Sequence, residues 1–196
     1  MTDSHQTQYT VRNATETDLS QIYEISASEL GREYLSKDQL ESYYTTPTAT
    51  LFVIEDCHNG EKTVVGFCIG SIYNARQVDN YLNVPFSRVK KYLSDTQKIG
   101  VLQTIAILQS HQELGLGSRL VSTFLNRLHQ QDVYTTISLG WKRHQTVPIK
   151  PLLVKYGFSE QEEFTTYWKE ESENKGYSCS VCGDPPCVCS AVLLTT

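Results

Sequence analysis

The chain has 196 residues, 39% of them hydrophobic and 20% charged, with a net charge of −5 at pH 7. That length holds one domain, or one domain with a small appendage, and can bury a core that needs no disulfides. The acidic balance argues against a nucleic-acid or membrane-surface partner. No apolar run approaches the roughly 18 residues of a membrane helix, and the polar start lacks a signal-peptide core, so a cytoplasmic protein is expected.

Residues 9–12 suit a short first strand. Thr15 and Asp18 fit a capping box, a hydroxyl cap with an acid three residues on, and Leu19, Ile22, Tyr23, Ala27 and Leu30 follow at near-helical spacing. Ser36 opens a second helix over residues 37–44. Residues 51–54 and 64–72 are apolar, β-branched runs, and Asn59-Gly60 between them signals a hairpin. Residues 75–98 are more polar, carry a helix at 87–93, and read as an insertion or lid. A buried strand is expected over 101–108. After a turn, Leu116, Leu120, Val121, Phe124, Leu125 and Leu128 make one apolar helical stripe. Residues 134–141 predict a strand. Residues 147–156 predict a short helix, because Pro148 and Pro151 are tolerated only near its start. Gly157 ends that helix, and strands follow at 158–167 and 191–194. The order describes a mixed α/β domain built on one sheet and spanning residues 1–196.

The chemistry concentrates after the fourth strand. Ile105, Ala106 and Ile107 lead into Gln112-Glu113-Leu114-Gly115-Leu116-Gly117-Ser118, a turn with two glycines that opens a helix. Such a turn exposes several backbone N–H groups together, and the positive end of the helix favours a phosphate there. Gly115 and Gly117 lack a Cβ, so the backbone can approach a pyrophosphate. No Gly-Lys-Ser/Thr follows, so this is no P-loop, and the first glycine of the dinucleotide fingerprint is missing. On these residues alone, a plain helix-starting turn remains an equal alternative.

The segment 112–117 is similar to the Q/R-x-x-G-x-G/A signature of the GNAT acetyltransferase superfamily. The strand before it, the element order, and Lys155-Tyr156-Gly157-Phe158 resemble the same family over residues 9–168 and the last strand. The resemblance implies a central, mostly antiparallel sheet with flanking helices. It also implies acetyl-CoA as cosubstrate: its pyrophosphate on the amides of Gln112, Glu113, Leu114, Gly115, Leu116, Gly117 and Ser118, its pantetheine along Ile105, Ala106 and Ile107, and its thioester near the N–H of Ile107. A primary amine (a protein N-terminus, a lysine or a small molecule) would then attack directly. The chain departs from the family at three places. Leu153 stands where many members carry an acidic tyrosine, Thr146 where an asparagine is frequent, and Gln103 where some carry a glutamate base. Tyr156 and Glu55 are left as weak catalytic candidates. Two other readings stay open, a non-catalytic acyl-CoA-binding module and a zinc-stabilised interaction protein. The oligomeric state is also open, with a homodimer as one option.

Of six cysteines, Cys179, Cys182, Cys187 and Cys189 fall within eleven residues, in a hairpin at 170–190 inserted before the last strand. Zinc takes four thiolates in a tetrahedron, and a C-x-x-C-G knuckle supplies two from one side. The C-x2-C-x4-C-x-C spacing therefore favours structural zinc, with disulfides, free thiols and an iron–sulfur cluster as alternatives. Cys68 reads as a small buried hydrophobe. His58, His111, His129 and His144 are scattered without ligand spacing, and Arg88, Lys90 and Lys91 read as a solvated face or a phosphate-attracting run.

Overall fold

Seven apolar and β-branched runs pair into one sheet in the computed structural model, which describes residues 8–58, 61–93 and 98–196. They are β1 (Gln8–Asn13), β2 (Ala49–His58), β3 (Glu61–Asn74), β4 (Lys98–Ile107), β5 (Thr136–Lys142), β6 (Ser159–Phe164) and β7 (Ser190–Thr195). Their order across the sheet is β1-β2-β3-β4-β5-β7-β6, antiparallel except where β4 meets β5. The Asn59-Gly60 pair lies outside the described residues, but its neighbours His58 and Glu61 are register partners of the β2–β3 hairpin.

Helices α1 (Leu19–Glu29), α2 (Lys37–Thr45), α3 (Val78–Leu82), α4 (Phe86–Val89), α5 (Leu116–His129), α6 (Lys150–Val154) and α7 (Lys169–Lys175) cover the two faces. Strand alternation decides which side chain goes where. Phe52, Ile54, Cys68, Val192 and Leu194 point to one face, where the stripe Leu116, Leu120, Phe124 and Leu128 of α5 and Leu153 of α6 close the core. Val53, Phe67 and Ile69 point to the other face, beneath Ile22 and Ile25 of α1 and Leu40 of α2. On that second face, Ile137, Ala191 and Leu193 lie under Val78, Leu82, Val89, Trp168, Tyr177 and three cysteines.

Residues 75–93 are thus a structural cover and no free lid. Val78, Leu82 and Val89 are 0% exposed, and burying each apolar side chain is worth roughly 1.5–3 kcal/mol. The polar average of the segment hid these three anchors. Arg88 and Lys91 of its basic run are committed as well. Arg88 Nε donates to Glu162 Oε1 at 2.9 Å, and Lys91 Nζ stands 3.6 Å from Glu162 Oε2. This cluster ties the cover to β6. Helix α7 has no counterpart in the expectations from sequence.

The N-terminal strand is locked by one guanidinium. Arg12 Nη1 donates to Asp18 Oδ2 at 2.6 Å and Arg12 Nη2 donates to Glu55 Oε1 at 2.6 Å, with both carboxylates buried. Asp18 also accepts from Thr15 N–H at 2.6 Å, the acid arm of the expected capping box. The hydrogen bond from Arg12 comes first among the causes that pull the Asp18 carboxyl from 3.8 down to about 2, against the opposing effect of burial. Its folded value lies below its unfolded one, so the stabilisation is present above pH 4 and is lost as pH falls toward 2. Asp18→Asn should therefore cost about 2 kcal/mol at pH 7. Urea melts from pH 7 to pH 2 should show the gap to wild type closing with acid. A pH-independent gap would show that the carboxylate charge is not the cause.

Candidate active site

Strands β4 and β5 are paired only at Gly100–Thr136, Val101–Ile137 and Leu102–Ser138. Beyond Leu102 they part, and Ser138 Oγ donates to Leu102 O at 3.0 Å, capping the last carbonyl. The parting coincides with a bulge. Opposite β3, Ile69 pairs with Thr104 and Gly70 with Leu102, so Gln103 is an extra residue. One inserted residue reverses the alternation of everything after it. Before it, Gly100 N–H donates to Thr135 O on the β5 side; after it, Leu108 N–H donates to Val65 O on the β3 side. Ile105 and Ile107 consequently turn their backbone N–H and C=O groups away from β3, into the fork. Ile107 O accepts from Gln112 Nε2 there, at 2.9 Å.

The fork opens into a cavity of about 670 Å³. Ile105, Ala106 and Ile107 form one wall; Gln112, Glu113, Gly115, Leu116, Gly117 and Ser118 form its mouth; Pro148, Ile149 and Leu152 close it from the α6 side. Leu114 is the one residue of the expected turn that does not line the cavity, and it is 55% exposed. Gly115 precedes α5 at φ +74°, a left-handed conformation costly to other residues, and a Cβ there would meet nothing within 4 Å. The turn is braced from α1, because Glu29 accepts from Gln109 N–H at 3.1 Å and from Gln112 Nε2 at 3.2 Å.

Neither catalytic candidate reaches this cavity. Tyr156 lies on the far side of the first turn of α5, where its hydroxyl meets Ser118 Oγ at 2.7 Å and donates to Ser118 O at 2.9 Å. Glu55 is buried in the Arg12 ion pair on β2. Leu153 is a fully buried core residue, and Thr146 closes a turn with Arg143. His111 lines the cavity, but Ser110 and Asp56 hold its two ring nitrogens at 2.8 and 3.3 Å.

A second, smaller pocket of about 100 Å³ adjoins the fork on the opposite face and shares Tyr34, Gln103, Thr104, Leu139 and Trp168 with the first. Gln103 is fixed at its floor. It accepts from Ser71 Oγ at 2.8 Å and donates to Tyr43 and Tyr73 hydroxyls at 3.3 and 3.2 Å. Tyrosines 34, 43, 81 and 167 line the pocket, with Glu171 of α7. Burial first, then neighbouring negative charge, raises Tyr34, Tyr43 and Tyr167, with Tyr43 pushed up to about 12. These hydroxyls are neutral at pH 7. Sequence reasoning missed Glu171, although α7 was signposted by Glu170 and Glu171 in its first turn, Lys175 in its last and Gly176 beyond it at φ +68°.

Cys179, Cys182, Cys187 and Cys189 converge, with all four Sγ atoms within 4.8 Å of one another. Cys179 and Gly183 exchange backbone hydrogen bonds at 2.9 Å, closing the knuckle, and Val181 N–H donates to Cys179 Sγ at 3.4 Å. Burial raises the Cys187 thiol and lifts Cys189 to about 11. Burial also opposes ionisation of Cys182, yet the Val188 N–H and the neighbouring thiols hold it below the usual value. Four thiols this close ionise together only beside a cation. The loop docks on the α1–α2 connection. Ser178 N–H donates to Arg32 O at 3.2 Å, and a Cβ on Gly31 (φ +137°) would stand 2.0 Å from Ser178 O. Leu30 and Tyr34 of that connection face both the main cavity and the cysteines.

Among the described residues no helix is long and apolar enough to cross a membrane. No curated protein sequence matches the chain. Solved structures share its fold. The ribosomal-protein-S18-alanine N-acetyltransferase of Escherichia coli is 17% identical over 96% of this chain and 92% of its own, with a TM-score of 0.64. Arabidopsis thaliana NAA60 in complex with acetyl-CoA is 9% identical over 96% and 98%, with a TM-score of 0.72. A GNAT family acetyltransferase from Elizabethkingia anophelis with acetyl-CoA bound is 16% identical over 96% and 97%, with a TM-score of 0.60. The acetyltransferase (GNAT) family model matches residues 18–158, and the chain belongs to this family of acetyl-CoA-dependent N-acetyltransferases.

Proposed function

We propose that the chain transfers the acetyl group of acetyl-CoA to a primary amine by direct attack within the β4–β5 fork. One observation carries the reading: the bulge at Gln103 turns the N–H groups of Ile105 and Ile107 inward, directly above the glycine turn that opens α5. The pantetheine amides would pair with that free strand edge as an added strand does. The amides of Gln112, Glu113, Leu114, Gly115, Leu116, Gly117 and Ser118 would take the pyrophosphate at the positive end of α5. The Ile107 N–H would polarise the thioester carbonyl. The amine nitrogen then forms the C–N bond as the C–S bond breaks, the sulfur keeps the electron pair, and the amine's proton leaves to water. A thiol ionises at about 8–9, so the thiolate departs without a dedicated acid. That fits a cavity in which neither Tyr156 nor Glu55 is present.

The cysteine cluster is read as structural zinc within a single domain. Sulfur at about 2.3 Å from a tetrahedral ion gives S–S separations of about 3.8 Å, and Cys182 Sγ lies 3.9 Å from Cys187 and 3.4 Å from Cys189. Four thiols leave no open position, so the ion would hold structure and take no part in the reaction. A four-cysteine metal site suits the reducing cytoplasm, which we take as the location.

Calorimetry should show acetyl-CoA binding to the wild type and no binding to Gly117→Trp, whose ring must enter the cavity mouth beside Leu152. Equal binding by a folded variant would remove the pyrophosphate from this turn. Ile107→Pro deletes an N–H that β3 does not use. It should lower kcat about a hundredfold at saturating acetyl-CoA, measured by thiol release. An unchanged kcat excludes this N–H from catalysis, and wild-type binding without any transfer across an amine panel would favour an acyl-CoA-binding module. Metal analysis should find about one zinc per chain after mild purification. A value below about 0.2 per chain would dismiss the zinc assignment, because such sites are tight.

A further inference from the structure

The small pocket across the fork is lined mainly by tyrosines and other uncharged residues. Apart from apolar and neutral polar groups it holds one carboxylate, Glu171, and one ammonium, Lys175, which bind each other one helical turn apart. Tyrosines supply hydroxyls and π faces around them, and the π faces together with the carboxylate favour a cation. The pocket floor is the bulge itself. Because Gln103 is the inserted residue, Gln103 and Thr104 both present their side chains to this face, while the N–H groups of Ile105 and Ile107 face the fork next to it. An amine lying in this pocket therefore points at the strand edge where the thioester is expected. At about 100 Å³, against about 670 Å³ for the main cavity, the pocket leaves little room for bulk beside the acceptor nitrogen.

We propose that Glu171 selects the acceptor, a primary alkylammonium without bulk beside its nitrogen that enters from the α7 face and takes the place beside the carboxylate that Lys175 Nζ now fills. The inference rests on the acetyl-transfer reading and adds to it the entry face, the acceptor chemistry and the residue that binds it. Glu171 is 39% exposed at the pocket rim. There it can meet the ammonium and let its proton pass to water, after which the neutral amine moves down the pocket to the strand edge beside Gln103 and attacks. Lys175 is then a placeholder, displaced when the acceptor arrives, and dispensable.

The test is thiol release by the full chain with n-butylamine and tert-butylamine as probes, alongside acetyl-CoA calorimetry. Glu171→Gln should raise the KM for n-butylamine at least about tenfold, the effect of losing one charged contact, and leave acetyl-CoA affinity within twofold. Lys175→Gln should leave that KM unchanged or lower it. Divided by the rates of the uncatalysed reactions, turnover of tert-butylamine should be at least about tenfold slower than that of n-butylamine. If the ion pair serves only to hold α7, Glu171→Gln and Lys175→Gln will raise the KM equally, and the inference fails. It fails also if Glu171→Gln leaves the KM unchanged, if tert-butylamine on that corrected scale turns over as fast as n-butylamine, or if a wild type that binds acetyl-CoA never turns over n-butylamine. A wild type that does not bind acetyl-CoA overturns the acetyl-transfer reading itself, and this inference with it.

Discussion

The site depends on a single surplus residue in a strand. Were Gln103 paired in regular alternation, with no bulge, Ile105 and Ile107 would direct their amides at β3, where the ladder would use them. With the bulge, the same amides are left over on the opposite edge. β5 does not collect them, because Ser138 ends the pairing by capping Leu102 O. Amides on an open strand edge can pair with an extended ligand as an added strand does, so the fork offers a place for a hydrogen-bonding ligand shaped like a strand. The bulge answers a second need as well. It aims two consecutive polar side chains, Gln103 and Thr104, through the sheet to the other face, so one insertion equips both sides of the opening.

The second face is assembled from sequence-distant parts, which need an anchor. Tyr34 comes from the α1–α2 connection, Tyr81 from α3, Trp168 and Glu171 from the start of α7, and Gln103 from the sheet. Connections of this kind are the low-stability parts of a fold. Here the α1–α2 connection is held by backbone hydrogen bonds to the cysteine loop at Arg32 and Leu30, and Gly31 admits the close approach. α7 is held from the same loop, since Ser172 Oγ accepts from Cys187 N–H at 2.8 Å in a fully buried contact. The four cysteines are thus a tie between two walls of the small pocket.

Much of this was legible in the chain. The hydrophobic stripe of α5, the glycines before it, the strand 105–107 and the cysteine spacing are periodic or local signals, and local signals survive in a single sequence. What escaped was set by non-local pairing. Nothing near Gln103 announces a bulge, because a bulge is a count taken against the partner strand. The burial of Val78, Leu82 and Val89 was hidden in a polar segment whose anchors are spaced across two short helices. Tyr156 and Glu55 were weak candidates by residue type, and the first bonds Ser118 while the second pairs with Arg12.

The acidic residues show how far type is from role. Glu29 braces the glycine turn, Glu55 and Asp18 neutralise Arg12, and Glu162 anchors the α4 region. Asp18 and Glu55 are buried against Arg12, and a carboxylate so committed would release a desolvated partner if it moved. Glu171 differs in the nature of its partner. Lys175 is a flexible side chain on the same short helix, both groups reach water, and the pair contributes only tenths of a kcal/mol. A weak, exposed pairing is the kind an incoming ammonium can replace at little cost. A carboxylate held by a replaceable cation is therefore better placed to receive a substrate than one locked into the core.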